Sequence, residues 1–250
     1  MEVAIRNRWA LSGMLVALLC SVPVAQETNP AATMNLESIV RLMQNAQAAS
    51  HPQVSYQIIR EYRLSGAKDA KADSEVVAEI NFQPPASKGY VIQKSSGSNR
   101  GQQLVRRILD NEVAATSKDK KANNAISNDN YAFSYVGEAS LGGHSCYVLG
   151  LKPRRSEKDL IAGQIWVDKR SFRVRQVEGE VEKTPSWWLK RVRVKLGFAE
   201  LEGLWVQTSM EAVADVRLVG EHTLTSRILD YRREAEVAVT PISRGSTLGK

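Results

Sequence analysis

From Tyr131 to Arg233, short runs of alternating apolar and polar residues follow one another with only brief turns between them. The clearest run is Lys190 to Glu200. There Val192, Val194, Leu196 and Phe198 alternate with Arg191, Arg193 and Lys195. A period of two puts one set on a covered face and the other in water. Turn residues at Gly142-Gly143, Lys169-Arg170-Ser171, Pro185, Glu202-Gly203 and Asp215 to Gly220 divide the stretch into about six or seven strands. Connections this short join antiparallel neighbours, so the dominant element is an antiparallel meander.

Upstream the period changes twice. Asn35 can cap a helix running to about Ala49, with Leu36, Ile39, Val40, Met43 and Ala46 on one face. His51-Pro52 ends it, because the residue before proline avoids the helical region. Val54, Tyr56, Ile58, Tyr62 and Leu64 then alternate with polar residues in a one-sided strand, and Arg60 interrupts its apolar face. An arginine there must find a partner or reach solvent, so it can close a lid or meet a head group. Val76, Ala78, Ile80 and Phe82 form a second such strand, stopped by Pro84-Pro85, and Tyr90 and Ile92 lie in a third. Between Ser98 and Ala115 the spacing of Leu104, Val105, Ile108, Leu109 and Val113 is helical, and a polar stretch from Lys118 to Asn130 follows. Helices this few can cover only one face of so long a sheet.

The N-terminus reads as an export leader. Arg6 and Arg8 precede a mostly apolar run from Trp9 to Cys20, and Ser21 to Gln26 turns small and polar. Residues 1–25 are the expected signal peptide, 26–34 a flexible tail, 35–235 the folded domain and 236–250 a C-terminal tail. Cys20 is a candidate lipid-anchor position, but Leu19 before it is bulky, so the expectation is a periplasmic or secreted protein without lipidation. Cleavage removes Glu2, Arg6 and Arg8 and takes the formal charge from +7 to +6. That modest excess favours anionic surfaces over nucleic acid in an exported protein. Cys146 is then the only cysteine, so the sheet and its core must hold the fold without an internal disulfide. Its strand neighbours Tyr147 and Val148 give it the look of a buried structural residue.

No catalytic constellation is legible. His51, His144 and His222 fall in a helix stop, a turn and a strand, none with a second ligand at metal spacing. Nucleophile-elbow, phosphate-loop and dinucleotide patterns do not occur, and Ser65-Gly66-Ala67-Lys68 lies in a turn where that serine pattern does not operate. The expectation is a non-enzyme with no cofactor and no metal. Trp187-Trp188, followed by Lys190, Arg191, Arg193 and Lys195, places aromatic and basic side chains at one turn. Such aromatics commonly fold back on their sheet, although the patch also suits an anionic membrane interface.

Three stretches carry a resemblance to a known family. One is Val76 to Ile92: strand, Pro84-Pro85 break, strand. The second is Gly142 to Pro153, ending Tyr147-Val148-Leu149-Gly150-Leu151-Lys152-Pro153. The third is Ile165-Trp166-Val167-Asp168-Lys169 with the returning strand Phe172 to Glu178. In that order they resemble the LolA/LolB-like family of periplasmic lipoprotein carriers and lipoprotein-sorting proteins. Carrier members place an arginine before the proline break, where this chain has Gln83.

The resemblance implies an α+β fold, an incomplete antiparallel barrel of about nine to eleven strands. Two or more helices would cover the concave face of this half-barrel. It further implies a carrier that holds lipid or lipoprotein acyl chains between the sheet and its helical lid. The residues expected to line that space are Tyr56, Ile58, Arg60, Ile80, Phe82, Tyr90, Val192, Val194, Leu196 and Phe198. An anionic membrane surface and another envelope protein are further candidate partners. The alternative is a sensor or interaction domain that uses the same fold without transporting a ligand.

Overall fold

The computed structural model describes residues 34–50, 54–66, 73–85, 87–114, 124–218 and 220–233. The expected leader with Cys20, the 236–250 tail, His51 and Lys68 lie outside the described residues. Helix α1 (Leu36–Ala48) starts as its sequence predicts: Asn35 is extended, and its Oδ1 accepts a hydrogen bond from Ser38 N at 2.8 Å. Three strands follow, β1 (Tyr56–Gly66), β2 (Ser74–Gln83) and β3 (Ser87–Gly97). Helix α2 (Asn99–Ala114) leads to the seven-strand meander β4 (Tyr131–Leu141), β5 (His144–Pro153), β6 (Ile161–Asp168), β7 (Val174–Val181), β8 (Leu189–Leu201), β9 (Leu204–Val216) and β10 (Gly220–Arg233).

All ten strands form one antiparallel sheet in the order β3-β2-β1-β10-β9-β8-β7-β6-β5-β4. The three-strand and seven-strand meanders meet where β1 pairs with β10, and the sheet remains open at β3 and β4. Register defines one continuous inner face. It runs Leu149–Ile165–Val177–Leu196–Met210–Ser226–Tyr62–Val76 across eight strands. Both helices pack on this face, one over each half. Ile39, Val40 and Met43 of α1 join Tyr131, Leu149, Leu151, Ile165, Val167 and Val177. Val105 and Leu109 of α2 join Tyr62, Val76, Ala78, Ile80 and Leu224. Two helices on one side of an open sheet are the arrangement expected from the chain.

Two glycines face each other at one cross-strand pair. Gly163 of β6 lies opposite Gly179 of β7. A Cβ on Gly163 would sit 2.1 Å from the Glu178 carbonyl oxygen, and one on Gly179 2.2 Å from that of Ala162. Only glycine permits backbone this close, and the contact lies beside Ile165 and Val177 of the α1 half of the core.

Candidate functional site

The inner face carries a buried charge cluster beside its apolar core. Arg60 is 5% exposed and Tyr62 1%. From the last turns of α2, Glu112 reaches down between them. Its carboxylate takes Lys88 Nζ at 2.5 Å, accepts a hydrogen bond from Tyr62 Oη at 3.4 Å and stands 3.9 Å from Arg60 Nη1. Burial pushes the Glu112 carboxyl up, but Lys88 and Arg60 outweigh it and hold the group below the ordinary glutamate range. Burial, with the Glu112 charge beside it, lifts the Tyr56 phenol to about 12. Arg60 also donates from Nη2 to the backbone oxygen of Gln207 at 2.6 Å. Its buried Nε has no partner among the described residues. The arginine that interrupts the apolar pattern of β1 thus fastens α2 to β1 and β9. Tyr90 adds an outer tie, its Oη donating to Asp110 at 2.7 Å.

Next to this latch the helical cover stops. A cleft of about 440 Å³ opens between the C-terminal turn of α1 and the sheet. Its apolar walls are Ile126, Val174, Phe198 and Trp205, and Gln47, Gln207 and Arg173 are its principal polar groups. Gln47 Nε2 donates to Ile126 O at 3.5 Å, which joins α1 to the outer wall. Trp205 is held in place by its indole N–H, which donates to Val174 O at 3.2 Å. The guanidiniums of Arg173 and Arg175 each lie 5.3 Å from its ring centroid. Arg175 is neutralised by Asp168, whereas Arg173 has no ion-pair partner among the described residues. The cleft therefore combines apolar walls with one uncompensated cation.

Asp168 builds the turn that presents Arg173. Its Oδ1 accepts from Arg170 N and Ser171 N, each at 2.9 Å, and its Oδ2 accepts from Arg175 Nε at 2.6 Å. The adjoining Phe172 takes a left-handed φ of 55° and stacks on Tyr147, with centroids 6.4 Å apart. Burial would raise the Asp168 carboxyl, but Arg175 and the turn amides outweigh it and bring the group down to about 2. A carboxylate with a lowered folded value stabilises the protein above its ordinary value, 3.8, and that contribution is lost as pH falls through the folded one. Asp168→Asn should therefore cost about 2 kcal/mol at neutral pH and flatten the stability profile between roughly pH 4 and 2. Urea melts across that window check it; equal slopes for the two proteins would reject the assignment.

The ten residues expected to line a ligand space all lie on the inner face, but they do not form one cavity. Phe198 alone among them borders the cleft. Ile80 packs in the core with Val105 and Leu109 of α2. Tyr56 stacks on Phe82 with centroids 5.0 Å apart, and Ile58 joins Leu204 and Val206. Leu196 packs against the α1 half, and Val192 and Val194 are half-buried outside the cleft walls. The sequence reading missed Arg173, Trp205 and Gln207. A tryptophan just after the Glu202-Gly203 turn was the available signal. Cys146 is fully buried, its Sγ donating to His144 O at 3.5 Å, and burial with nearby Asp168 raises its thiol above the ordinary range. Among the described residues no cluster of His, Cys, Asp and Glu has metal-site geometry, and no helix is long and apolar enough to cross a membrane.

Several solved structures are similar to the chain. The chain is similar to a domain assigned as an outer membrane lipoprotein-sorting protein from Vibrio parahaemolyticus, at 14% identity over 81% of this chain and 95% of that one, with a TM-score of 0.43. It is similar to a DUF1329 family protein from Desulfovibrio piger, at 15% identity over 81% and 94%, TM-score 0.42. A LolA superfamily protein from Nitrosomonas europaea matches at 16% identity over 81% and 95%, TM-score 0.37. The sequence matches no curated protein. Residues 92–232, from within β3 almost to the end of β10, match a family model described as "uncharacterized protein", and the chain belongs to that family.

Proposed function

We propose that this protein is an exported binding protein, without catalytic activity of its own, that takes an acyl chain of a lipid or lipoprotein into the cleft under α1. The observation that carries the reading is the cleft itself: Phe198, Val174, Ile126 and Trp205 around about 440 Å³, with unpaired Arg173 among them. A space of this size suits a small ligand that is mostly apolar with one charged end. Each enclosed methylene contributes about 0.8 kcal/mol, so roughly six contribute on the order of 5 kcal/mol before ordering costs. Such binding is reversible, as carriage requires. The expected lining set narrows accordingly: Phe198 belongs to the cleft, Arg60 to the latch beside it, and the other eight form the supporting face.

Titration with a fluorescent fatty-acid probe tests this. Phe198→Asp should weaken uptake by more than tenfold, because a carboxylate replaces an apolar wall. Arg173→Ala should weaken binding of the fatty acid but not of the matching fatty alcohol, which separates a head-group contact from a general loss of structure. Circular dichroism recorded beside each titration shows that the sheet persists. A wild-type protein that takes up neither probe would end the carrier reading. It would turn attention to the open β4 edge, where Tyr135 and Val136 are 44% and 53% exposed, a surface suited to another envelope protein.

A further inference from the structure

At the far end of the strands from Trp205 and Arg173, two turns stand side by side. One is the β7–β8 connection, residues 182–188; the other is the β9–β10 turn around Leu218. Hydrogen bonds lock them together: Arg217 N donates to Trp188 O at 2.9 Å, and Arg217 Nε donates to Trp187 O at 3.0 Å. The locked pair presents apolar side chains outward. Trp187 is 84% exposed, Trp188 43% and Leu218 completely exposed. Trp187 therefore does not fold back on the sheet, as turn aromatics usually do. Leu218 moreover occupies the left-handed region with φ 74°, a conformation unfavourable for leucine and natural for glycine or asparagine. Folding gains nothing from the exposed Trp187 side chain, and the Leu218 backbone angle works against it.

The surrounding charge is basic in excess. Lys190 is answered by Asp215 at 3.7 Å, and Arg193 by Glu221 at 2.6 Å. Lys183, Arg191 and Arg217 enter no ion pair among the described residues, and Glu180, opposite Arg193, and Glu182 are the nearby carboxylates likewise outside the ion pairs, which leaves a small basic excess. An amphipathic indole, a bare leucine and cations outside any ion pair on one tip match the boundary between acyl chains and anionic head groups. We propose that this tip docks the protein on an anionic lipid bilayer, with Trp187 and Leu218 inserted and Lys183, Arg191 and Arg217 on the phosphates. The cleft lies at the other end of the sheet, so the proposal stands whether or not the cleft holds a lipid.

Sedimentation of the full chain with lipid vesicles tests it. The wild type should bind phosphatidylcholine vesicles containing phosphatidylglycerol, bind pure phosphatidylcholine more weakly, and release as salt rises. The double variant Trp187→Ser/Leu218→Asn should lose about tenfold in partitioning onto the mixed vesicles. Its thermal midpoint should be unchanged or higher, since asparagine accepts the left-handed turn; a structural role for these residues would lower it. Brominated lipid should quench tryptophan fluorescence in the wild type and much less in the variant, which separates the tip from any binding by the shared N-terminal segment. No quenching of the wild type, or equal quenching of both proteins, overturns the proposal. So does a wild-type dimer that the double variant dissolves without any vesicle binding, which would make a second copy the occupant.

Discussion

Glu112→Gln should destabilise the protein by about 3 kcal/mol, because it leaves the buried Arg60 and the half-buried Lys88 without their counter-charge. Arg60 is 6% exposed and Lys88 14% at the side chain, and Glu112 is the carboxylate that both face. Their desolvation has already been incurred, so removing the shared partner loses the attraction and keeps the cost. The defect should be local at first. Amide exchange along α2 should accelerate before that of β5 and β6, since the cluster ties this helix to β1 and β9. The wild type should also lose this contribution as pH falls below the ordinary glutamate value of 4.5, whereas the glutamine protein has none to lose. Denaturant melts of both proteins at neutral and acidic pH read the difference directly. A loss under about 1 kcal/mol at neutral pH would show that solvent already screens the cluster.

Gly179→Val should cost a similar amount, about 3 kcal/mol, by a steric route. The new Cβ would meet the Ala162 carbonyl oxygen at 2.2 Å and the Gly163 Cα at 2.8 Å, both backbone atoms that cannot rotate aside. Relief requires β6 and β7 to part, and Ile165 and Val177, both in the α1 core, lie immediately along those strands. Gly89→Ala in β3 is the control. A Cβ there meets nothing within 4 Å, so the change should stay within about 0.5 kcal/mol. Thermal melts compare the two; similar midpoints would mean that the close approach of β6 and β7 is unimportant to stability.

The elements were legible because their signals are local. Alternation along β8, the Pro84-Pro85 stop, the Asn35 cap and the helical spacing from Leu104 to Val113 each need only a few neighbouring residues, and each element appears where those residues place it. Facing was legible too, since Tyr56, Ile80, Leu196 and Phe198 all point inward by parity alone. The site was not. Arg60 announced a conflict on an apolar strand, but its partner sits 52 residues away on a helix whose exposed-looking polar stripe contained Glu112. Likewise Trp205 of β9 meets Arg173, just before β7, across the intervening β8, and no period encodes that contact. Which inner-face residues border space and which are packed solid depends on where α1 and α2 come to rest, and packing at that level is a three-dimensional quantity.

The seam between β1 and β10 has a consequence in time. Tyr56 pairs with Arg233 and Gly66 with His222, so the strand nearest the start of the fold finds its neighbour in the last strand made. Pairing between such distant segments is slow, because loop closure precedes any reward. As the chain is made, the three-strand unit and the growing meander must wait apart until residues near 233 arrive. Strand order itself keeps the two parts unjoined through synthesis, and the ten-strand sheet is completed only when the last strand is available.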